Sequence, residues 1–173
     1  MPWGEKVSFK VIDGNIRLFG TNSSANPKSV EGIKVSAKAK SIYFAHVTGW
    51  ENAGAPGYKF VINFDNGSKQ ELLIESHKNS DDWCHIPAQL EDKNSFQFWK
   101  EPGATCVTVS IIATKWDNPQ AGSTIKTIDA ISLETGAVPG IFAITLGGAS
   151  APVDSASKLA VMWGHIKSEN SNR

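Results

Sequence analysis

Alternation of apolar and polar residues, cut at short intervals by turn-forming residues, is the feature that most limits how this chain can fold. In the segment from residue 107 to residue 114, alternate side chains share one face: Val107, Val109, Ile111 and Ala113. A period of two is typical of a half-buried β-strand, and the β-branched residues here favour the same structure. Pro119 ends the segment, since proline has no amide hydrogen to donate to a sheet.

The same pattern recurs along most of the chain. We expect strands at Val7–Ile12, at Ser41–Val47 and on both sides of the turn Asp65-Asn66-Gly67, which gives the strongest hairpin signal. Ser41–Val47 is apolar on both faces, which is typical of a central strand. Nine or ten short strands and no convincing helix before Leu146 predict an all-β fold, an antiparallel β-sandwich.

Length and charge limit the class of protein. A chain of 173 residues is most simply one domain, which we place at residues 1–147, followed by a linker or tail at 148–173. Ser157–Ile166 is the one stretch of the tail with helical character. Lys+Arg and Asp+Glu number 17 each, so the overall charge favours neither nucleic acid nor an anionic membrane as partner. Residues 1–5 have no signal-peptide pattern, which is compatible with a cytoplasmic protein or with a domain excised from a larger protein, and we expect the latter.

Three motifs follow one another in the second half of the domain. They are Trp-x-Asn-Pro at residues 116–119, Ile-x-x-Ile-Asp at 125–129 and Val-Pro-x-x-x-Ala-Ile-Thr at 138–145. With the strand that ends near His46 and the acidic residue before Trp83, these motifs resemble the galactose-binding-like β-sandwich domains of large secreted bacterial glycoside hydrolases. The resemblance covers roughly residues 7–146. It implies a jelly-roll carbohydrate-binding module, secreted or at the cell surface, attached to a catalytic domain that degrades polysaccharide.

Tryptophans in polar loops are the first candidate contact residues. The chain has six tryptophans, and Trp50, Trp83 and Trp116 each lie beside acidic or amide residues. Indole rings pack against the C–H-rich faces of sugars, while nearby polar groups bind the hydroxyls. The alternative is that the rings anchor loops to the sandwich, which is equally compatible with Trp83 and Trp116. Trp50, in a glycine-rich loop, is the better exposed candidate, and Trp99 is expected in the core.

The remaining candidate contacts are polar. We expect the three tryptophan loops to gather at one end of the sandwich, where the following side chains would bind sugar hydroxyls: Glu51, Asn79, Asp82 and Asp117. His46, at a strand end, is a further candidate, although a hydrogen-bonded structural histidine is the simpler interpretation.

Metal, disulfide and catalytic signals are weak. The histidines have no zinc-ligand spacing, and no cofactor is predicted. The oxygen-rich run Asn79–Asp82 is compatible with structural calcium, but a solvated loop explains it more simply. We expect Cys84 and Cys106 to be buried free thiols, with one disulfide as the alternative. The sequence contains no serine-nucleophile elbow or phosphate loop.

These observations predict a non-catalytic carbohydrate-binding module whose partners are a polysaccharide or oligosaccharide and the catalytic domain of its parent enzyme. A ligand-free spacer or docking domain is the main alternative. A small lyase or hydrolase that acts through the jelly-roll face is the third.

Overall fold

The structure is a computed structural model, and it describes residues 3–11, 14–51, 54–84 and 90–149. Within these residues it contains nine β-strands and no helix, as the sequence predicts. The strands are β1 (Ile16–Arg17), β2 (Ser29–Ala37), β3 (Ser41–Gly49), β4 (Pro56–Phe64), β5 (Lys69–Glu75), β6 (Ser95–Glu101), β7 (Val109–Asp117), β8 (Ile125–Ser132) and β9 (Val138–Gly147). The tail from residue 150, including Ser157–Ile166, lies outside the described residues.

The strands form two antiparallel sheets. One sheet has five strands in the order β1-β9-β3-β7-β6, and the other has four in the order β2-β8-β4-β5. The predicted β-sandwich is therefore confirmed. No helix in the described ranges is long and apolar enough to cross a membrane.

The core lies between the two sheets, and β3 is at its centre. All nine residues of β3 are buried, in agreement with the prediction that this strand is central, and β3 pairs with β7 on one side and β9 on the other. Its alternate residues Ile42 and Phe44 belong to the apolar core cluster. The ring of Phe44 stacks on Phe60 of the opposite sheet, with centroids 4.0 Å apart. Other residues of β3, such as Tyr43 and Val47, point to the opposite face of the sheet, away from the core.

The hairpin between β4 and β5 has the predicted turn. Gly67 has a φ of 83°, and its N–H donates to the carbonyl of Phe64 at 3.2 Å. This is a loop that ends in a left-handed glycine, a common hairpin connection. A Cβ added at Gly67 would meet no atom within 4 Å, so the backbone conformation alone requires glycine here.

The N-terminal segment differs from the prediction. Val7–Ile12 was expected to form a strand, but residues 7–11 are not in a strand, and Ile12 lies outside the described residues. Residues 3–11, here called the N-terminal arm, instead lie across the outer face of the five-stranded sheet. Of its alternating apolar residues, Val7 is buried and Phe9 packs against Phe98, whereas Val11 is 53% exposed.

Candidate functional site

The outer face of the five-stranded sheet is divided into two halves. The covered half lies near the start of β3 and carries the N-terminal arm. Trp3 of the arm packs against Tyr43 and Phe96 with ring centroids 4.9 Å and 4.8 Å apart, and its indole N–H donates to the carbonyl of Asn94 at 3.0 Å. Phe9 packs against Phe98 at 5.0 Å. In this half, the arm packs against the aromatic side chains of the sheet.

Charged groups also attach the arm to the covered half. The hydroxyl of Tyr43 donates to the carboxylate of Glu5, and Lys115 lies 3.3 Å from the same carboxylate. The hydrogen bond from Tyr43 is the main reason why the pKa of Glu5 is lowered, with Lys115 adding to it. Burial raises the pKa of Tyr43.

The open half of the same face contains a groove of about 480 Å³, within the roughly 300–1,000 Å³ that is usual for small-ligand sites. Strand residues form its apolar floor: Val47, Val109, Ile111, Val138 and Phe142. Three tryptophans also line it: Trp50, Trp83 and Trp99. Their exposed fractions are 59%, 40% and 41%. No hydrogen bond within the described ranges uses the indole N–H of any of the three, so all three N–H groups are available to a ligand.

Trp50 has an unusual backbone conformation. It follows the end of β3 with a φ of 52°, in the left-handed region that bulky residues rarely occupy. The Asp82 carboxylate holds it there, because Oδ2 accepts the N–H of Trp50 at 2.8 Å while Oδ1 accepts the N–H of Cys84 at 2.9 Å. Backbone strain that persists at an exposed ring is typical of functional sites. The predicted exposure of Trp50 is confirmed, and Asp82 acts on the backbone of this loop.

Glu51 supports the same loop from its buried side. Its carboxylate accepts the hydroxyl of Ser76 at 2.5 Å and lies 3.1 Å from Nε2 of His77. Burial raises the pKa of Glu51, the hydrogen bond from Ser76 opposes this, and the neighbouring carboxyl of Asp81 adds to the increase. Only 9% of the Glu51 side chain is exposed, and Glu51 does not line the groove. It is placed to hold the loop that carries Trp50.

Trp83 is fixed by the strands on either side of it. Its N–H donates to the carbonyl of Thr48 at 2.8 Å, and its carbonyl accepts the N–H of Ser110 at 2.9 Å. Its ring lies against Gly49, where an added Cβ would approach the indole to 3.3 Å. The loop position of Trp83 is thereby tied to both β3 and β7.

The two cysteines form a disulfide next to Trp83, so the expectation of two free thiols is wrong. Cys84 and Cys106 have Cα atoms 5.2 Å apart and join the loop after Trp83 to the loop before β7. Apolar neighbours in the sequence do not distinguish a buried thiol from a disulfide, and the pairing depends on how β3 and β7 align the two loops.

Trp99 lies on the surface, so the expectation that it is in the core is wrong. It belongs to β6, an edge strand, and pairs with Ile111 after a register shift between Gln97 and Trp99. A bulge of this kind redirects side chains. Phe98 contacts the N-terminal arm, and Trp99 lines the groove.

Trp116 and Asp117 lie at the other end of the sheet, so the expectation that all three loops gather at one end is wrong. Trp116 pairs with Ile42 at the start of β3, whereas Trp50 follows Gly49 at its end, about 23 Å away along the strand. The Trp116 ring packs against the core cluster, and Asp117 pairs with Lys115 at 3.1 Å. This packing fits a structural role for Trp116.

Asn79 and His46 are buried and have structural hydrogen bonds. Asn79 is 4% exposed, accepts the N–H of Glu75 and donates to the carbonyl of Leu73. His46 is 0% exposed, with Nδ1 2.6 Å from the hydroxyl of Tyr58 and Nε2 2.9 Å from Oγ1 of Thr114. Burial lowers the pKa of His46 to about 3 and raises that of Tyr58. Neither Asn79 nor His46 lines the groove, and the structural interpretation of His46 fits this position.

The oxygen-rich run at residues 79–82 is not a solvated loop, since Asn79, Ser80 and Asp81 are all buried. Side-chain oxygens of Asn79, Asp81 and Asp82 accept backbone N–H groups. The described residues contain one group that could hold a metal ion, Glu51, His77 and Asp81, whose ligand atoms lie within 4.8 Å of one another.

The sequence did not reveal two polar residues of the groove, Asn15 and Arg17. They belong to a short segment that ends in β1, and β1 reaches the groove only because it pairs with β9. The one available signal was the Ile16-Arg17 alternation, which is too short to assign a face.

Comparison of this chain with protein-family models, with curated proteins and with solved structures finds no match.

Proposed function

We propose that this chain is a non-catalytic carbohydrate-binding domain that holds a glycan in the groove of the open half. The observation that carries this proposal is the groove itself, in which three exposed indole rings and their unused N–H groups surround an apolar floor. Sugars have apolar C–H faces that stack on such rings and hydroxyls that accept such N–H groups. The other lining groups are amide, hydroxyl and guanidinium side chains, which bind polar ligands.

The architecture of the groove supports binding with little rearrangement. Its floor consists of strands, and the Trp50 and Trp83 loops are held by Asp82, Glu51 and the disulfide. A site that is already ordered loses less conformational entropy when a ligand binds. As part of a larger polysaccharide-degrading enzyme, such a domain would raise the local concentration of substrate near the catalytic domain.

Calorimetric titration against fragments of xylan, β-glucan, galactan and mannan tests the proposal. Trp50→Ala and Trp99→Ala should each weaken binding by about 10- to 100-fold, or ~1–3 kcal/mol, with little change in melting temperature. Leu73→Ala is the matched control, because Leu73 is also exposed (39%) but lies on the other sheet. It should bind like the wild type.

Two results would contradict the proposal. Wild-type protein that binds no glycan, neutral or acidic, would favour the ligand-free spacer. Binding that survives both tryptophan substitutions would place the site elsewhere on the molecule.

A further inference from the structure

We infer that the groove selects acidic glycans, with the guanidinium of Arg17 binding the carboxylate of a uronic acid. This inference rests on the proposed function and specifies its substrate class. It starts from the position of Arg17 in β1, where Ile16 points into the core and is 9% exposed, while Arg17 is exposed and lines the groove.

Arg17 is the one charged side chain among the described residues that line the groove. Within the described ranges its guanidinium has no ion pair and no side-chain hydrogen bond. Lys115, on the same sheet, is in contrast neutralised by Glu5 at 3.3 Å and Asp117 at 3.1 Å. The positive charge of Arg17 is therefore available to a ligand, whereas that of Lys115 is used to hold the protein together.

The surface beside Arg17 leaves room for a sugar ring. Its partner in β9 is Gly140, and a Cβ there would lie 3.4 Å from Val47 and 3.7 Å from Nδ2 of Asn15. Because glycine has no side chain, nothing at this position fills the groove next to Arg17. The amide of Asn15, which makes no side-chain hydrogen bond in the described part of the chain, lies at the same place and can bind a hydroxyl next to the carboxylate.

The chemistry of the guanidinium favours a carboxylate over a neutral hydroxyl. Arginine presents parallel N–H groups that match the two oxygens of a carboxylate, and such charge-assisted pairs are about twice as strong as neutral hydrogen bonds. The chain carries equal numbers of acidic and basic residues, so a preference for acidic glycans would come from this local charge rather than from the whole protein.

The test compares two oligosaccharides of equal length that differ only at C6: β-1,4-linked mannuronate and β-1,4-linked mannose. At low salt the wild type should bind the mannuronate at least about tenfold more tightly, and added salt should reduce that ratio. Arg17→Gln should bring the ratio to about one, because it removes the charge that distinguishes the two sugars. Arg17→Lys keeps the positive charge but loses the parallel N–H groups, so it should give an intermediate ratio.

Lys34→Gln is the matched control, since it removes one exposed positive charge from β2 of the other sheet and should leave the ratio unchanged. Equal wild-type affinities for the two sugars, or a ratio that survives Arg17→Gln, would overturn the inference while Trp50-dependent binding still supported the proposed function. Binding of neither oligosaccharide, nor of any glycan in the larger panel, would overturn both.

Discussion

The covered and open halves of the five-stranded sheet have similar aromatic side chains but hold them in different ways. In the covered half, Trp3 packs at a tilt against Tyr43 and edge-on against Phe96, and its N–H has a protein acceptor. In the open half, Trp50 and Trp99 keep large exposed surfaces and unused N–H groups. The arm supplies in one half the apolar contact and hydrogen bonds that we propose a sugar supplies in the other.

The two halves also differ in what supports them. The covered half depends mainly on aromatic contacts. Under the open half, His46 belongs to a hydrogen-bonded chain, because the hydroxyl of Thr114 donates to the carbonyl of Asn79, in the loop that leads to Trp83. That hydroxyl therefore accepts from Nε2–H of His46, and Nδ1 accepts from Tyr58. This support requires a neutral imidazole.

Lowering the pH should therefore cause the largest loss of stability, because it protonates the imidazole that supports the open half. The pKa of His46 is lowered to about 3 from 6.5, so its contribution to stability is complete above pH 6.5 and is lost as the pH falls towards 3. The unfolding free energy should decrease as the pH falls through this range, by an amount on the order of a few kcal/mol. Urea unfolding measured at a series of pH values checks this.

Glutamine does not titrate, so the unfolding free energy of His46→Gln should no longer depend on pH in this way. The pKa of Glu51 is raised, so its contribution has the opposite sign and is lost as the pH rises through that pKa. Glu51→Gln should therefore leave a steeper loss of stability in acid. An unfolding free energy of the Glu51→Gln variant that is flat between pH 6.5 and 4 would contradict the buried neutral His46, because that variant lacks the opposing contribution of Glu51.

Opening the disulfide should have the second-largest effect. Cys84 and Cys106 are 22 residues apart, and closing a loop of this length stabilises the folded state by about 3 kcal/mol. Cys84→Ser/Cys106→Ser should lose about this much in urea unfolding and should also bind glycan more weakly, because Trp83 adjoins Cys84. Thiol counting under denaturing, non-reducing conditions should find none in the wild type, and recovery of two would contradict the disulfide.

The covered half gives the third prediction. Trp3 is half-buried, so Trp3→Ala should lower the unfolding free energy by about 2 kcal/mol, less than the 3–5 kcal/mol of a core tryptophan. It should leave the glycan affinity unchanged, since Trp3 does not line the groove. Chemical unfolding and titration of the same variant measure both. Weaker binding with unchanged stability would mean that the two halves are not separate.

The sequence predicted the fold better than the site because alternation is a local property. The central position of β3 and the Gly67 turn each follow from a pattern within one segment, and the sandwich follows from the repetition of such strand patterns along the chain. The groove depends on which strands pair: Arg17 reaches it through β9, Trp99 through a register shift, and Trp116 is excluded because β7 runs antiparallel to β3.

The polar residues beside the tryptophans were predicted to contact a ligand because of their residue types alone. A carboxylate or amide beside an exposed tryptophan has the same sequence signature whether it contacts a ligand or holds the loop. Asp82 and Asn79 bind backbone N–H groups, and Glu51 binds Ser76 and His77. Only these hydrogen-bond partners distinguish the two roles, and those of Glu51 and one partner of Asp82 are 25 or more residues away along the chain.

Replacing Trp50 with glycine should have the smallest effect on stability and most directly separates the two halves. A left-handed backbone is unfavourable for tryptophan by about 1–2 kcal/mol, and glycine adopts it freely. Because the ring is 59% exposed, little packing is lost, and Trp50→Gly should be as stable as the wild type or up to about 1 kcal/mol more stable. Glycan binding should nevertheless fall as far as in Trp50→Ala. Thermal unfolding and titration of both variants measure the difference, with Trp3→Gly as the matched control that should lose stability. If Trp50→Gly were destabilised like Trp3→Gly, Trp50 would be a packing residue, and the contrast between the two halves would fail.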